Sequence, residues 1–222
     1  MSSSMGRQGA ALPERSRVYQ RSALVSELTR RAQSFVTFIG FGELGYEDEG
    51  AMRSVVRAEL DARSRETTIV NTGTLIKAGF HAGIADVYRE AKAMGFRTTG
   101  IHPSLALRDP GRYRLSPFVD EVFFVKDDSW GGCLEETGEP SPTLQVLVAV
   151  SGEVLAIGGG RHAADEVREF VRQGVPVRFH EAEMNHIVGR AWHATRGIDE
   201  VDFRGEAQLL WQGREALSSG SP

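Results

Sequence analysis

Short apolar runs alternate along this chain with segments whose apolar residues recur every three or four positions. Ser34 to Gly40 reads as a buried strand, and after a glycine-rich stretch Met52, Val55, Val56 and Leu60 share one helical face. Thr67 to Asn71 repeats the strand signal. A helix is then predicted after Thr72-Gly73-Thr74, with Phe80, Ile84, Val87, Tyr88, Ala91 and Met94 as its apolar stripe and Gly95 as its stop. Arg97 to Ile101 and Asp120 to Val125 are the third and fourth strands. Ser141 and Pro142 look like a helix cap and first turn for a short buried helix over Leu144 to Val150. Glu153 to Ile157 is a fifth strand. Ala164, Val167, Phe170 and Val171 stripe the next helix, and Gly174 to Phe179 closes the series. Strands separated by crossover-length helical connectors predict an α/β fold: a doubly wound, mostly parallel, Rossmann-like sheet covered on both faces.

In such a sheet ligands gather beyond the carboxyl ends of the strands, where helix N-termini offer free N–H groups and a positive dipole end. Glycines cluster at those ends: Gly40, Gly42 and Gly45 after the first strand, Gly73 beside Thr74 after the second, and Gly158, Gly159 and Gly160 after the fifth. The expectation is that these loops converge on one phosphate-bearing ligand; the alternative is that the glycines only permit tight turns. The first loop also matches G-x-G-x-x-G, which invites an NAD(P)-dependent oxidoreductase reading. Against it, Tyr46 to Glu49 sets acidic groups where a pyrophosphate would lie, and the second strand ends in Asn71 rather than a ribose-binding acid.

From Ile157 to Glu166 the chain resembles the P-G-G-x-G-T-x-x-E motif of the LOG, or "lysine decarboxylase-like", proteins of the SLOG superfamily. Asn71 to Thr74, Gly83 to Lys92 and Gly95 to Pro103 are similar to that family's glycine-rich turn, helix and following strand. The resemblance spans residues 35 to 179 in order. It implies an SLOG-type fold, a nucleotide pocket and a homodimer, with Gly159 and Gly160 in the phosphate loop and Glu166 as the glutamate of phosphoribohydrolase chemistry. Ala163 stands where the family has threonine, and Thr143 lies near the place of its catalytic arginine. Binding of a phosphate-bearing nucleotide or derivative, as a non-catalytic sensor, is therefore the first reading. A divergent hydrolase of a nucleoside monophosphate N-glycosidic bond, using Glu166 with His162 or Arg161, is the second.

Arg161 has the fork geometry that suits phosphate, and His162 can donate to phosphate or exchange a proton; both also read as solvent-facing residues of a first helical turn. Trp130, in the loop after the fourth strand, is either a stacking platform or a loop anchor. His102 and His193 have no assigned role, although His102-Pro103 lies at a strand end, where it could line the same crevice. His180, Glu181, Glu183 and His186 are metal-ligand types, but histidines six apart share no helical face, and no metal site is expected.

Composition sharpens the picture in three places. The net charge of −4 argues against nucleic acid as a partner. A single cysteine, Cys133, permits no disulfide within the chain and fits a cytoplasmic setting, and no apolar run suggests a membrane span or a secretory signal. Residues 1–33 carry six arginines against two glutamates, which marks a basic N-terminal extension, partly disordered or helical, with Val18, Tyr19, Leu24, Val25 and Leu28 recurring loosely at helical spacing. Residues 34–188 form the nucleotide-binding domain and residues 189–222 a C-terminal extension, where Trp192 and Trp211 read as packing anchors or dimer contacts.

Overall fold

The computed structural model describes residues 10–11, 17–31, 34–71, 73, 75–77, 82–109 and 111–219. In chain order the elements are β1 (Ala10–Ala11), β2 (Val18–Tyr19), α1 (Arg21–Arg30), β3 (Phe35–Gly40), α2 (Glu49–Asp61), β4 (Thr68–Asn71), β5 (Leu75–Lys77), α3 (Asp86–Ala93) and β6 (Arg97–Pro103). They continue with β7 (Tyr113–Leu115), β8 (Glu121–Val125), α4 (Pro142–Val150), β9 (Glu153–Ile157), α5 (Arg161–Arg172), β10 (Val177–His180), α6 (His186–Ala194) and α7 (Gly205–Ser219).

Seven strands form one parallel sheet in the order β10-β9-β3-β4-β6-β8-β2. From β3 the chain winds outward through β4, β6 and β8, then returns to lay β9 on the other side of β3. The winding direction therefore reverses between β3 and β9, the switch point of a doubly wound Rossmann-like fold. Its strands read as continuous apolar runs because both faces are covered. On one face Phe35, Ile39, Ile101 and Val154 meet Leu24 and Leu28 of α1, Leu144 and Leu147 of α4, and Phe170 of α5. On the other, Phe38, Ile69 and Leu155 meet Met52, Val56 and Leu60 of α2 and Val87 and Ala91 of α3. Each such fully buried Leu, Ile or Phe contributes about 1.5–3 kcal/mol of transfer free energy. Pro142 opens α4, and the Ser141 hydroxyl accepts from Leu144 N at 3.2 Å, as the sequence predicts.

Three departures from the sequence reading matter. Val18 and Tyr19, expected on a helix, form β2, which lies parallel to β8 and extends the sheet, and α1 packs against the core, so this part of the basic segment belongs to the body of the fold. The long helix expected after residue 74 is instead β5, a 3₁₀ turn at Gly83–Ala85, and α3; Thr74 and Phe80 lie outside the described residues. Finally β5 pairs antiparallel with β7, and β7 with β1, in a small second sheet. Its side chains Tyr113, Leu75 and Leu115 pack with Phe124.

Candidate functional site

The switch point itself is filled. Tyr46 is fully buried, and its hydroxyl donates to the Ile157 carbonyl at 3.0 Å while accepting from Phe41 N at 3.2 Å. That hydroxyl sits where β3 and β9 part, and a side chain on Gly40 would run into it. Gly158 is roofed by the Phe41 ring and the Ala182 carbonyl. Gly159 faces Ala163 and Ala207, and its carbonyl accepts from Ala207 N at 3.0 Å, which fastens the start of α7 over the turn. Both glycines have positive φ, 54° and 127°. Gly158 and Gly159, expected in a phosphate loop, are thus placed under protein; their small size and left-handed backbone serve close packing.

The neighbouring glycine turns are filled by protein as well: side chains placed on Gly40 and on Gly73 would both meet Ile84. Gly73 N is held by the Asn71 side chain, whose amide donates to the Ile84 carbonyl at 2.6 Å. The α2 N-terminus is capped by Asp48, which accepts from Ala51 N at 2.8 Å. With Glu47 and Glu49 on either side, that helix start repels a pyrophosphate. The G-x-G-x-x-G run is therefore a framework turn here.

Open space lies one step along the sheet edge. A crevice of about 840 Å3 is bounded by the loop after β3 (Gly42, Glu43, Leu44), by the small sheet (Leu75, Lys77, Tyr113) and by α6 (Val188, Ala191, Trp192). Trp130, His162 and His102 complete it, with Arg112 and Arg196 at its edges. This volume is within the range of small-molecule sites. Trp130 leans on Tyr113 at 5.3 Å between ring centroids, tilted by 52°, and keeps 45% of its surface exposed. Arg196 stacks on the Trp192 ring at 3.5 Å. Among the described residues, no carboxylate pairs with Arg112 or Arg196, although Arg196 donates to Trp192 O at 3.1 Å and to Thr195 Oγ1 at 3.2 Å, whereas Lys77 is bound to Glu43 at 3.0 Å.

A second chamber of about 790 Å3 lies behind Trp130 and His162, which line both spaces. A further groove of about 890 Å3 runs between α4 and α5, away from the strand ends. The crevice is preferred as the candidate site because, among the described residues, it joins strand-end backbone, aromatic faces and two guanidinium groups without a carboxylate partner.

The loop carrying Trp130 is fixed by Asp127, which is 3% exposed. One carboxylate oxygen accepts from Ser129 N at 2.9 Å and its hydroxyl at 2.7 Å; the other accepts from Thr143 N at 3.0 Å and its hydroxyl at 2.6 Å. Asp127 thereby ties the β8 loop to the first turn of α4.

Of the residues singled out from the sequence, Gly42, Trp130 and His162 share the crevice, and His102 joins them. Arg161 is exposed and reaches only Glu135, at 3.7 Å. Gly160 begins α5 without a side-chain cap, with the Glu206 carboxylate nearby. Glu166 is buried one turn into α5 and does not line the crevice. His180 contacts Glu59 at 2.9 Å and His186 contacts Glu183 at 2.8 Å, at separate places. Tyr113, Arg112 and Arg196 carry no sequence signal: Tyr113 lies in the three-residue strand β7, Arg112 in the turn before it, and Arg196 in a tail without periodicity.

Burial, with the Asp165 charge as a lesser cause, pushes the Glu166 pKa up from 4.5 to about 8. The folded state then holds a proton that the unfolded chain releases, so this residue costs stability progressively as pH rises from about 4.5 through about 8. Glu166→Gln is expected to melt at a higher temperature than the parent at pH 8.5 and at nearly the same temperature at pH 4.5, by calorimetry. Equal shifts at both pH values would contradict a buried, neutral carboxyl group.

No protein family and no curated protein matches the chain. Among solved structures it is similar to a molybdenum cofactor binding protein from the phototrophic bacterium Rippkaea orientalis, at 15% identity over 83% of this chain and 98% of that one, with a TM-score of 0.47. The fold assignment rests on the strand order and register given above. No helix among the described residues is long and apolar enough to cross a membrane.

Proposed function

We propose that this protein binds a phosphate-bearing nucleotide or nucleotide derivative in the crevice between the β3 loop, the small sheet and α6. The observation that carries the reading is the composition of that one space: aromatic faces from Trp130, Tyr113 and Trp192, with Arg112 and Arg196 at the rim. Flat aromatic walls suit a heterocycle, and guanidinium groups without a carboxylate partner suit the oxygens of a phosphate. The LOG-like sequence pattern supports the same ligand class. Binding is favoured over N-glycosidic hydrolysis because Glu166, the carboxylate such chemistry would use, is buried off the crevice. Hydride transfer with a nicotinamide cofactor has less support still, since the first glycine turn is capped by acids.

The test is calorimetric titration with AMP, GMP, CMP and UMP alongside the corresponding nucleosides. The nucleotides are expected to bind and the nucleosides to bind at least tenfold more weakly. Trp130→Ala is expected to cost roughly 5- to 100-fold in affinity, the scale of losing one aromatic stack on a base. Failure of all four nucleotides to bind at millimolar concentration, together with an unaffected melting temperature, would overturn the reading.

A further inference from the structure

We propose that His102 determines the specificity of this crevice by accepting a hydrogen bond from an amino group on the ligand's heterocycle. The inference rests on the reading of the crevice as a nucleotide site. His102 stands on β6 opposite Phe124 of β8 in register, with ring centroids 6.5 Å apart and tilted by 55°. It is 9% exposed, and it is among the residues that line the crevice.

The protonation of the ring follows from its neighbours. Nδ1 lies 3.5 Å from the carbonyl oxygen of Pro103, a long contact. A bare lone pair there would face the oxygen's own lone pairs, so this contact favours the tautomer with the hydrogen on Nδ1, which leaves Nε2 as the acceptor. The ring is neutral at physiological pH, because burial pushes its pKa down from 6.5 to about 4 against the smaller opposing effects of the Pro103 carbonyl and Asp127. Nε2 has no hydrogen-bond partner among the described residues, so the acceptor is left for a ligand.

An acceptor with no partner among the described residues, on a side chain that is 9% exposed, discriminates between ligands. An N–H donor placed against it completes a hydrogen bond, whereas a ligand lacking the donor leaves it unsatisfied and a carbonyl opposes it. Aromatic stacking by Trp130 is tolerant of base identity, because every base has a π face. Shape and stacking therefore hold the ring, and His102 distinguishes an amino-bearing heterocycle from its des-amino or oxo counterpart.

The experiment uses the full chain and three nucleotide pairs: AMP against purine riboside 5′-monophosphate, GMP against IMP, and CMP against UMP. In at least one pair the amino-bearing member is expected to bind tenfold or more tightly than its partner. His102→Phe, which keeps an aromatic ring beside Phe124, is expected to bring that ratio within threefold of unity. His102→Gln, which restores an acceptor oxygen, is expected to recover part of it and covers the case in which the phenylalanine variant does not fold. A long-range ¹⁵N–¹H spectrum of the ligand-free protein at pH 7 is expected to show the Nδ1–H tautomer for His102.

Binding of both members of every pair with equal affinity, or a preference that survives in His102→Phe, would overturn the role of His102 and leave the nucleotide site standing. Absence of binding by every nucleotide would overturn the site reading and this inference with it. An Nε2–H tautomer or an imidazolium in the spectrum would overturn the inference whatever binds.

Discussion

Gly83→Ala is expected to lower the stability of the protein by about 3 kcal/mol or more, through two mechanisms that add. Gly83 has φ of 54°, a left-handed conformation that costs an L side chain about 1–2 kcal/mol. A Cβ at this position would also fall on the carbonyl oxygens of Phe41 and Gly42, well inside van der Waals contact. Neither oxygen belongs to a flexible side chain, and Phe41 O is already engaged by Ile84 N at 2.7 Å, so the whole loop after β3 must move. For a chain of this size the loss corresponds to a fall of about 6–12 °C in the melting temperature. Gly42 lines the crevice, so nucleotide affinity is expected to fall with it. Gly95→Ala is the control: φ there is 84°, but nothing lies within 4 Å of the added carbon, and only the backbone strain of about 1–2 kcal/mol should appear. Scanning calorimetry on both variants decides the matter; equal shifts would remove the steric argument.

Asp127→Ala is expected to cost about 3–4 kcal/mol and to weaken nucleotide binding by up to as much as Trp130→Ala does, the second large effect. The substitution strands two backbone N–H groups and two hydroxyls, those of Ser129 and Thr143, in a place where Asp127 itself is 3% exposed. Hydrogen bonds to an ionised acceptor contribute about 1.5–3 kcal/mol each, and water reaching the vacated space recovers part of their sum. The loop then loses its attachment to α4, and Trp130 loses the fixed position that lets it form a wall. Asp127→Asn keeps one acceptor oxygen and turns an N–H pair toward donors, so an intermediate loss is expected. Urea unfolding followed by circular dichroism gives the stability term, and titration at a temperature where the variant is folded gives the binding term. A variant that unfolds earlier yet binds normally would show that the tether serves stability alone.

The parallel strands were legible because their signal is local. Phe35 to Gly40, Thr68 to Asn71 and Glu153 to Ile157 are short, mostly apolar runs in which Thr37, Thr68 and Asn71 are buried too, as a sheet covered on both faces requires. Ser141 and Pro142 mark the start of α4 through a cap that acts within three residues. The misread segments are those decided at a distance. Val18 and Tyr19 have helical spacing, yet β8 offers an open edge, and pairing with it outweighs the propensity of two residues. β5 is a strand because β7 lies beside it.

The candidate site was half legible for a related reason. Trp130 and His162 follow strand ends and His102 lies in the last residues of β6, so topology alone brings them near one another. A glycine that cradles a phosphate and one that admits a neighbouring backbone look identical in sequence, and only Phe41, Tyr46 and Ala207 show which kind Gly158 and Gly159 are. The tail that carries Ala207 and Arg196 has no pattern of its own to announce that it returns to the sheet.

The Tyr46 hydroxyl has a practical corollary for anyone seeking a chemical probe. Compounds drawn by superposing the usual dinucleotide pose onto the central strands would be steered into solid protein, where a phenol already bridges the two chain segments. Useful scaffolds would instead be shaped for the neighbouring hollow, with a flat ring toward the indole of residue Trp130 and an acidic arm toward the guanidinium pair.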